Sequence, residues 1–190
     1  MHVMDGAQQA SAFLSSSDGL NGNGVREKDV WLSDIRQYFQ AAPVNLSPDN
    51  DTLIYHVSTL ADPGGERPGG LCFGVTRISP GVVSDEYHMT RGHVHVLRGR
   101  SEYYWGIDGE GFLVCSLLEE GRAWVEEVSP NSVHYVPPGA AHRLVNTGAG
   151  WFVIGACWPS DAGHDYEPVV SNGFGVRVLQ GTDGPLLVRE

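Results

Sequence analysis

From residue 53 onward, turn residues interrupt this chain so often that no apolar run exceeds about eight residues. The breaks are Pro63-Gly64-Gly65, Ser79-Pro80-Gly81, Arg98-Gly99-Arg100, Asp108-Gly109-Glu110-Gly111, Glu119-Glu120-Gly121, Ser129-Pro130-Asn131, Pro137-Pro138-Gly139 and Thr147-Gly148-Ala149-Gly150. Between them lie short alternating or β-branched stretches: LIYHVSTL (53–60), LCFGVTRI (71–78), DEYHMT (85–90), HVHVL (93–97), SEYYWGI (101–107), FLVCSLL (112–118), RAWVEEV (122–128), SVHYV (132–136), HRLVNT (142–147), WFVIGACW (151–158) and GVRVL (175–179). Runs this short cannot make long helices. About eleven closely spaced strands predict an all-β barrel or sandwich.

The remainder is less regular. Residues 1–28 are rich in Ser, Gly, Asn and Asp and read as an irregular N-terminal arm; residues 29–190 read as one domain. WLSDIRQYFQAA (31–42) carries an apolar stripe of Trp31, Ile35, Tyr38 and Phe39, with Ser33 placed to cap a short helix, and a loop is expected from Pro43 to Asp51. With 190 residues the chain can bury a sizeable core. Its formal charge of -11 argues against nucleic acid or an anionic membrane surface as partner. Cys72, Cys115 and Cys157 are too few and too scattered for a disulfide framework. The first residues lack a basic, then apolar, leader pattern, and no stretch reaches the ~18–20 apolar residues of a membrane span. A cytoplasmic protein is the expectation.

Chemistry concentrates in TRGHVHVLRGRSEYYW (90–105). In a strand, His93 and His95 would share one face, with Val94 between them on the other. Parity alone would point Glu102 away from them, but the turn at Gly99 lets a new strand begin with Glu102 facing inward. PPGAAHRLVN (137–146) brings His142 from a Pro-Gly turn. Three imidazoles and a carboxylate suit a borderline divalent ion: Fe(II), Mn(II), Ni(II) or Zn(II).

The same residues resemble the two motifs of the cupin superfamily. The first is HxH followed by Glu, six residues and Gly, met here by His93, His95, Glu102 and Gly109; the second, PxGxxHxxxN, is met by Pro137, Gly139, His142 and Asn146. A glycine that usually precedes the second motif is Asn131, which also tolerates positive φ. The resemblance implies a double-stranded β-helix, a jelly-roll barrel. The long gap between His95 and Glu102, together with TRGHVH, SEYY, VHYVPPGAAHRLVNTG and WPSDAGHDY, resembles the cupin-type glucose-6-phosphate isomerases from about residue 32 to the C-terminus.

That resemblance implies His93, His95, Glu102 and His142 as metal ligands, with Fe(II) the first choice. It also implies Thr76, Thr90, the Gly92 backbone and Tyr104 around a phosphate, and Tyr55, His164 and Tyr166 near the sugar. A phosphate nest of hydroxyls and a backbone amide suits a chain whose overall field repels anions. Arg91 is a further candidate charge partner. Glu102, His164 and Tyr166 are the candidate proton-handling groups, for either an enediol route or a hydride shift. A homodimer is also implied. Tyr103 and Trp105 are expected to pack on the opposite face, and His88 and His134 to be structural. The family pattern carries two aromatics where this chain has Gly139 and Ala140, so a wider sugar pocket is expected. Competing readings are a metal-cupin isomerase, epimerase or oxygenase for another small metabolite, and a sugar-phosphate binder without turnover.

Overall fold

The structure, a computed structural model, describes residues 10–43 and 51–190. Residues 1–9 of the expected arm and 44–50 of the expected loop lie outside the described residues. In chain order, β1 (Phe13–Ser15) and β2 (Gly19–Asn21) form a hairpin, and β3 (Val25–Trp31) leads into α1 (Leu32–Ile35) and a 3-10 turn, Arg36–Tyr38. There follow β4 (Leu53–Leu60), β5 (Leu71–Ile78), β6 (Val82–Val83), β7 (Glu86–Tyr87), β8 (Glu102–Asp108), β9 (Gly111–Leu117), β10 (Arg122–Val128), β11 (Val133–Val136), β12 (Ala141–Asn146) and β13 (Phe152–Pro159). The chain ends with α2 (Glu167–Asn172), β14 (Val176–Gly181) and β15 (Gly184–Arg189).

One six-stranded sheet runs β11-β8-β13-β5-β4-β3; three strands, β10-β9-β12, and four, β15-β14-β7-β6, form two further sheets. All strand pairs within them are antiparallel. One apolar cluster joins them: Ile54 and Ile78 from the large sheet, Leu113 and Cys115 from β9, Leu144 from β12 and Val178 from β14 are all buried. Each such large side chain contributes about 1.5–3 kcal/mol by leaving water. The alternation is plain in β8, where Glu102, Tyr104 and Gly106 are buried and Tyr103 is exposed. Every residue of β12 is buried, so His142 sits on a strand covered on both faces. This is the all-β jelly-roll expected from the sequence.

The arm is not irregular throughout. Its residues 13–21 form the hairpin, and residues 25–28 begin β3, which pairs along β4 from Val25↔Leu60 to Trp31↔Leu53. VREKDVW alternates by charge rather than by hydropathy, so the usual strand signal is weak there. HVHVL is not a regular strand either. His93 exchanges backbone hydrogen bonds with His142 (3.1 and 3.0 Å), and Val94 does so with Asp165 (3.0 and 2.8 Å). The segment is thus stitched between β12 and the loop that carries His164.

The expected helix is one α turn followed by the 3-10 turn, because the chain bends there to bury Tyr38 and Phe39. Ser33 does not cap it. Asp34 Oδ2 accepts from Trp31 N at 3.0 Å, while the Ser33 hydroxyl donates to Asp51 at 2.5 Å. The short helix α2 and the exposed strand β15 carry no pattern that marked them in the sequence.

Candidate metal centre

The Nδ1 of His95 lies 3.0 Å from the Arg100 carbonyl, and that of His142 lies 3.1 Å from the Ala140 carbonyl. A carbonyl only accepts, so each Nδ1 carries a proton, and Nε2 is the atom each ring would offer to an ion. Both Nε2 atoms face Glu102 Oε2, at 3.2 Å from His95 and 3.1 Å from His142. The His142 contact is out of line for a hydrogen bond, and Nε2 of both His142 and His93 is buried without a partner. Donor atoms of His93, His95, Glu102 and His142 all lie within 4.8 Å of one another. Unsatisfied buried nitrogens are costly, by about 1–3 kcal/mol each. Three Nε2 atoms gathered at one carboxylate, two of them without a partner, fit a divalent ion.

Electrostatics around the centre are consistent with that use. Burial would raise the Glu102 pKa, but the imidazoles of His142 and His95 outweigh it and hold the carboxyl at about 2. Burial lowers His93 well below the ordinary imidazole value, and the neighbouring His142, His164 and His95 push it the same way. At His95 burial is outweighed by Glu102 and the Arg100 carbonyl, so its pKa rises.

The donors open onto a cavity of about 330 Å³, within the range of small-molecule sites. It is lined by Tyr55, Thr76, Thr90, Arg91, Gly92, Tyr104, His164 and Tyr166 as well as His93, Glu102 and His142. Among the site residues singled out from the sequence, His95 alone does not line it; it is buried behind Glu102. Thr90 Oγ1 accepts from Leu144 N at 3.1 Å, which leaves its own hydrogen to donate. Gly92 has φ +71°, and a Cβ there would meet Phe174 at 2.5 Å and the His142 carbonyl at 2.9 Å, so glycine is required. The Arg143 guanidinium lies 4.1 Å from the Phe174 ring centroid and donates to the Arg91 carbonyl at 3.0 Å, bracing the same loop.

His164 and Tyr166 stand beside His93, at ring-centroid distances of 4.3 and 6.1 Å. Burial lowers the His164 pKa and raises that of Tyr166. Burial likewise lifts Tyr55 to about 12, against the pull of Arg91, and Tyr104 well above 10, where the Glu102 charge adds to it. The tyrosines therefore keep their protons at neutral pH. Two strong pairs hold the His164 loop against the 98–100 turn: Arg98 to Asp165 at 2.7 Å, and Arg100 to Asp161 at 2.8 and 2.7 Å.

Gly139 and Ala140 lie elsewhere. Neither lines this cavity, and Gly139 borders a separate one with Val94, Arg98 and Leu117. The Ala140 carbonyl instead accepts from the His142 ring, so the turn acts on the centre through that candidate ligand. The sequence reading missed Trp158, Ala156, Val57 and Thr59 on the sheet floor, and Arg26 and Lys28 on β3. Alternation within LIYHVSTL from Tyr55 could have found Val57 and Thr59.

A jelly-roll with three imidazoles and one carboxylate gathered at the mouth of its cavity defines a cupin with a metal-competent centre. Comparison with known proteins narrows the class. The family model described as Glucose-6-phosphate isomerase (GPI) matches residues 39–188, and the chain belongs to that family. Glucose-6-phosphate isomerase of Thermococcus litoralis is 35% identical over 161 residues, covering 84% of this chain and 83% of that one. The Thermococcus kodakarensis protein of the same name is 37% identical over 158 residues, covering 83% and 82%. That of Sinorhizobium medicae is 43% identical over 138 residues, which is 71% of this chain but only 62% of the longer relative.

Proposed function

We propose that the chain interconverts glucose 6-phosphate and fructose 6-phosphate, with His93, His95, Glu102 and His142 holding one divalent ion. Fe(II) is the first choice among Fe(II), Mn(II), Ni(II) and Zn(II), because imidazole-rich sets with one carboxylate suit borderline ions. The observation that carries the reading is the pair of partnerless buried nitrogens, His93 Nε2 and His142 Nε2, beside a cavity lined by Thr76 and Thr90. When bound, such an ion supplies Lewis acidity that polarises the carbonyl of the open-chain sugar.

The protein's own groups do the rest. Thr76, Thr90, the Gly92 backbone and Tyr104 hold the phosphate, and their reach to the histidines through residues 90–95 sets the spacing between phosphate and reacting carbons. Glu102, with a pKa of about 2, stays ionised and is a poor proton acceptor at neutral pH. His164, kept neutral by burial, accepts a proton at a ring nitrogen, and the Tyr166 hydroxyl donates one. Together they move a proton between O1 and O2. The enediol and hydride-shift routes both use that transfer and differ in whether a base takes the C2 proton.

A homodimer fits the outer sheet face, where Val133, Tyr135, Tyr103 and Leu71 leave a largely exposed apolar surface ending at the edge strand β11. No helix among the described residues is long and apolar enough to cross a membrane.

Protein stripped with a chelator and reloaded with Fe(II) or Mn(II) should convert fructose 6-phosphate to glucose 6-phosphate. No product above the chelated control would overturn the assignment.

A further inference from the structure

Arg26 and Lys28 both line the cavity, yet neither makes an ion pair within 4.0 Å among the described residues. Strand β3 sorts its side chains by face. Val30, on the parity of Arg26 and Lys28, joins the main core. On the other parity, Val25 packs with Leu20, Val75 and Val153 outside the barrel, and Asp29 reaches His56 at 2.7 Å. Glu27 borders the cavity from the strand edge, between the two cations. Arg26 and Lys28 are exposed, as charges on an edge strand commonly are, but here they border the cavity. Arg91 also lines the cavity, 5.6 Å from the Tyr166 ring centroid and with its Nε buried and without a partner, but it stands between Thr90 and Gly92, on the other side.

Strand register places them relative to the site. Lys28 pairs with Val57, and Val57 with Thr76; Arg26 pairs with Thr59, Thr59 with Gly74, Gly74 with Ala156, and Ala156 with Tyr104. Adjacent strands are ~4.8 Å apart, so the Lys28 backbone lies roughly 10 Å from Thr76. Lys28 is exposed on a flexible four-carbon stem, so its ammonium can swing over the cavity toward an anion resting on the Thr76 hydroxyl. Between Thr76 and the metal donors the floor is made of Gly74 and Ala156, small residues that leave room for a sugar. A Cβ on Gly74 would meet Trp158 at 2.9 Å. The order across the sheet is therefore Glu102 and Tyr104 on β8, the small-residue floor, Thr76, then the cations.

We propose that Lys28, assisted by Arg26, binds the phosphate of the substrate from the side opposite Thr90 and Gly92, making β3 a wall of the site that selects phosphorylated over free sugars. This rests on the reading of the cavity as a sugar-phosphate site. Arg91 can offset only part of a dianion's charge from the Thr90 side, and charge-assisted hydrogen bonds from the β3 side are roughly twice as strong as neutral ones.

The test uses Lys28→Ala, Arg26→Ala, the double variant and Lys28→Arg, with Arg122→Ala as a control for net charge, since Arg122 is an exposed residue of β10. Inorganic phosphate is titrated calorimetrically into chelated protein, and KM for fructose 6-phosphate is measured on reloaded protein. Lys28→Ala should weaken phosphate binding and raise KM by about tenfold each, the double variant by more, with Lys28→Arg recovering most of the loss. Arg122→Ala should change neither. A double variant with wild-type phosphate affinity and wild-type KM overturns the proposal. If phosphate binding follows Lys28 but no variant isomerises the sugar, the subsite stands and the isomerase reading falls. If isomerisation proceeds with KM untouched by the double substitution, the reverse holds.

Discussion

Two buried histidine clusters in this molecule look alike and do opposite things. His134 lies between the Ser132 hydroxyl, 2.7 Å from Nε2, and the Glu126 carboxylate, 2.7 Å from Nδ1. Serine, histidine and glutamate in a row suggest a nucleophile and its base. Yet every polar atom there has a partner within the fold. Ser132 Oγ also donates to the Ser129 carbonyl at 2.7 Å, closing its own turn, and Trp124 Nε1 donates to the other oxygen of Glu126 at 3.0 Å. Around Glu102, by contrast, two ring nitrogens have no partner and the cluster opens onto the cavity. A saturated network stabilises, whereas an unsaturated one awaits a ligand. Residue types alone do not separate the two; hydrogen-bond accounting does.

Substitution should break this contrast in opposite directions. His142→Ala removes a donor whose tautomer is already fixed, and it should abolish metal binding and cut kcat/KM by more than about 100-fold, with a folded protein by circular dichroism. Metal content by elemental analysis reads the first effect directly. Full activity in that variant would remove His142 from the donor set. His134→Ala should do the converse, lowering unfolding free energy by about 1–3 kcal/mol through the loss of two hydrogen bonds and the packing of a buried ring. Its activity per folded molecule should stay within about twofold, as for a site away from the chemistry. Lost activity at full stability would mean that the saturated cluster had been misjudged.

Metal loading sharpens the same comparison at intermediate size. Because an ion binds the folded donors, saturation at about 100 times the dissociation constant adds about 2.7 kcal/mol. Thermal melts should show that increment in the wild type and in His134→Ala, and lose it in His142→Ala. An equal shift in all three would place the ion elsewhere.

Much of this was legible in the sequence where residue type and spacing coincide with geometry. His93, His95, Glu102 and His142 could be grouped because HxH, a following glutamate and a histidine after a Pro-Gly turn together resemble the two cupin motifs. LIYHVSTL, LCFGVTRI and RAWVEEV coincide with β4, β5 and β10, since turn residues fence each one. Where the fence or the alternation fails, the reading fails too. HVHVL looks like a strand because valines alternate with histidines, but the alternation serves the site and the backbone bonds go to a neighbouring loop. Strand β3 was hidden because its alternation is between cation and acid. Which cavity Gly139 borders is a property of the whole fold that no local pattern encodes.

The smallest effect concerns His88, a third buried histidine that lies between the two extremes. Its Nδ1 is 3.0 Å from the Ser79 hydroxyl and 3.2 Å from the Ser79 carbonyl. Burial lowers its pKa below 6.5, only partly offset by the Ser79 carbonyl. The unfolded chain therefore binds a proton in a window, just below pH 6.5, where the folded chain does not. Stability from the neutral ring is fully present above pH 6.5 and is lost as the pH falls through the folded value. His88→Gln removes the titration, so the wild type's advantage in urea midpoint should shrink between pH 7 and pH 5. Carboxylates that also titrate there are common to both proteins and cancel in the difference. An advantage that grows on acidification would mean that the fold stabilises the protonated ring, and would overturn the neutral assignment of His88.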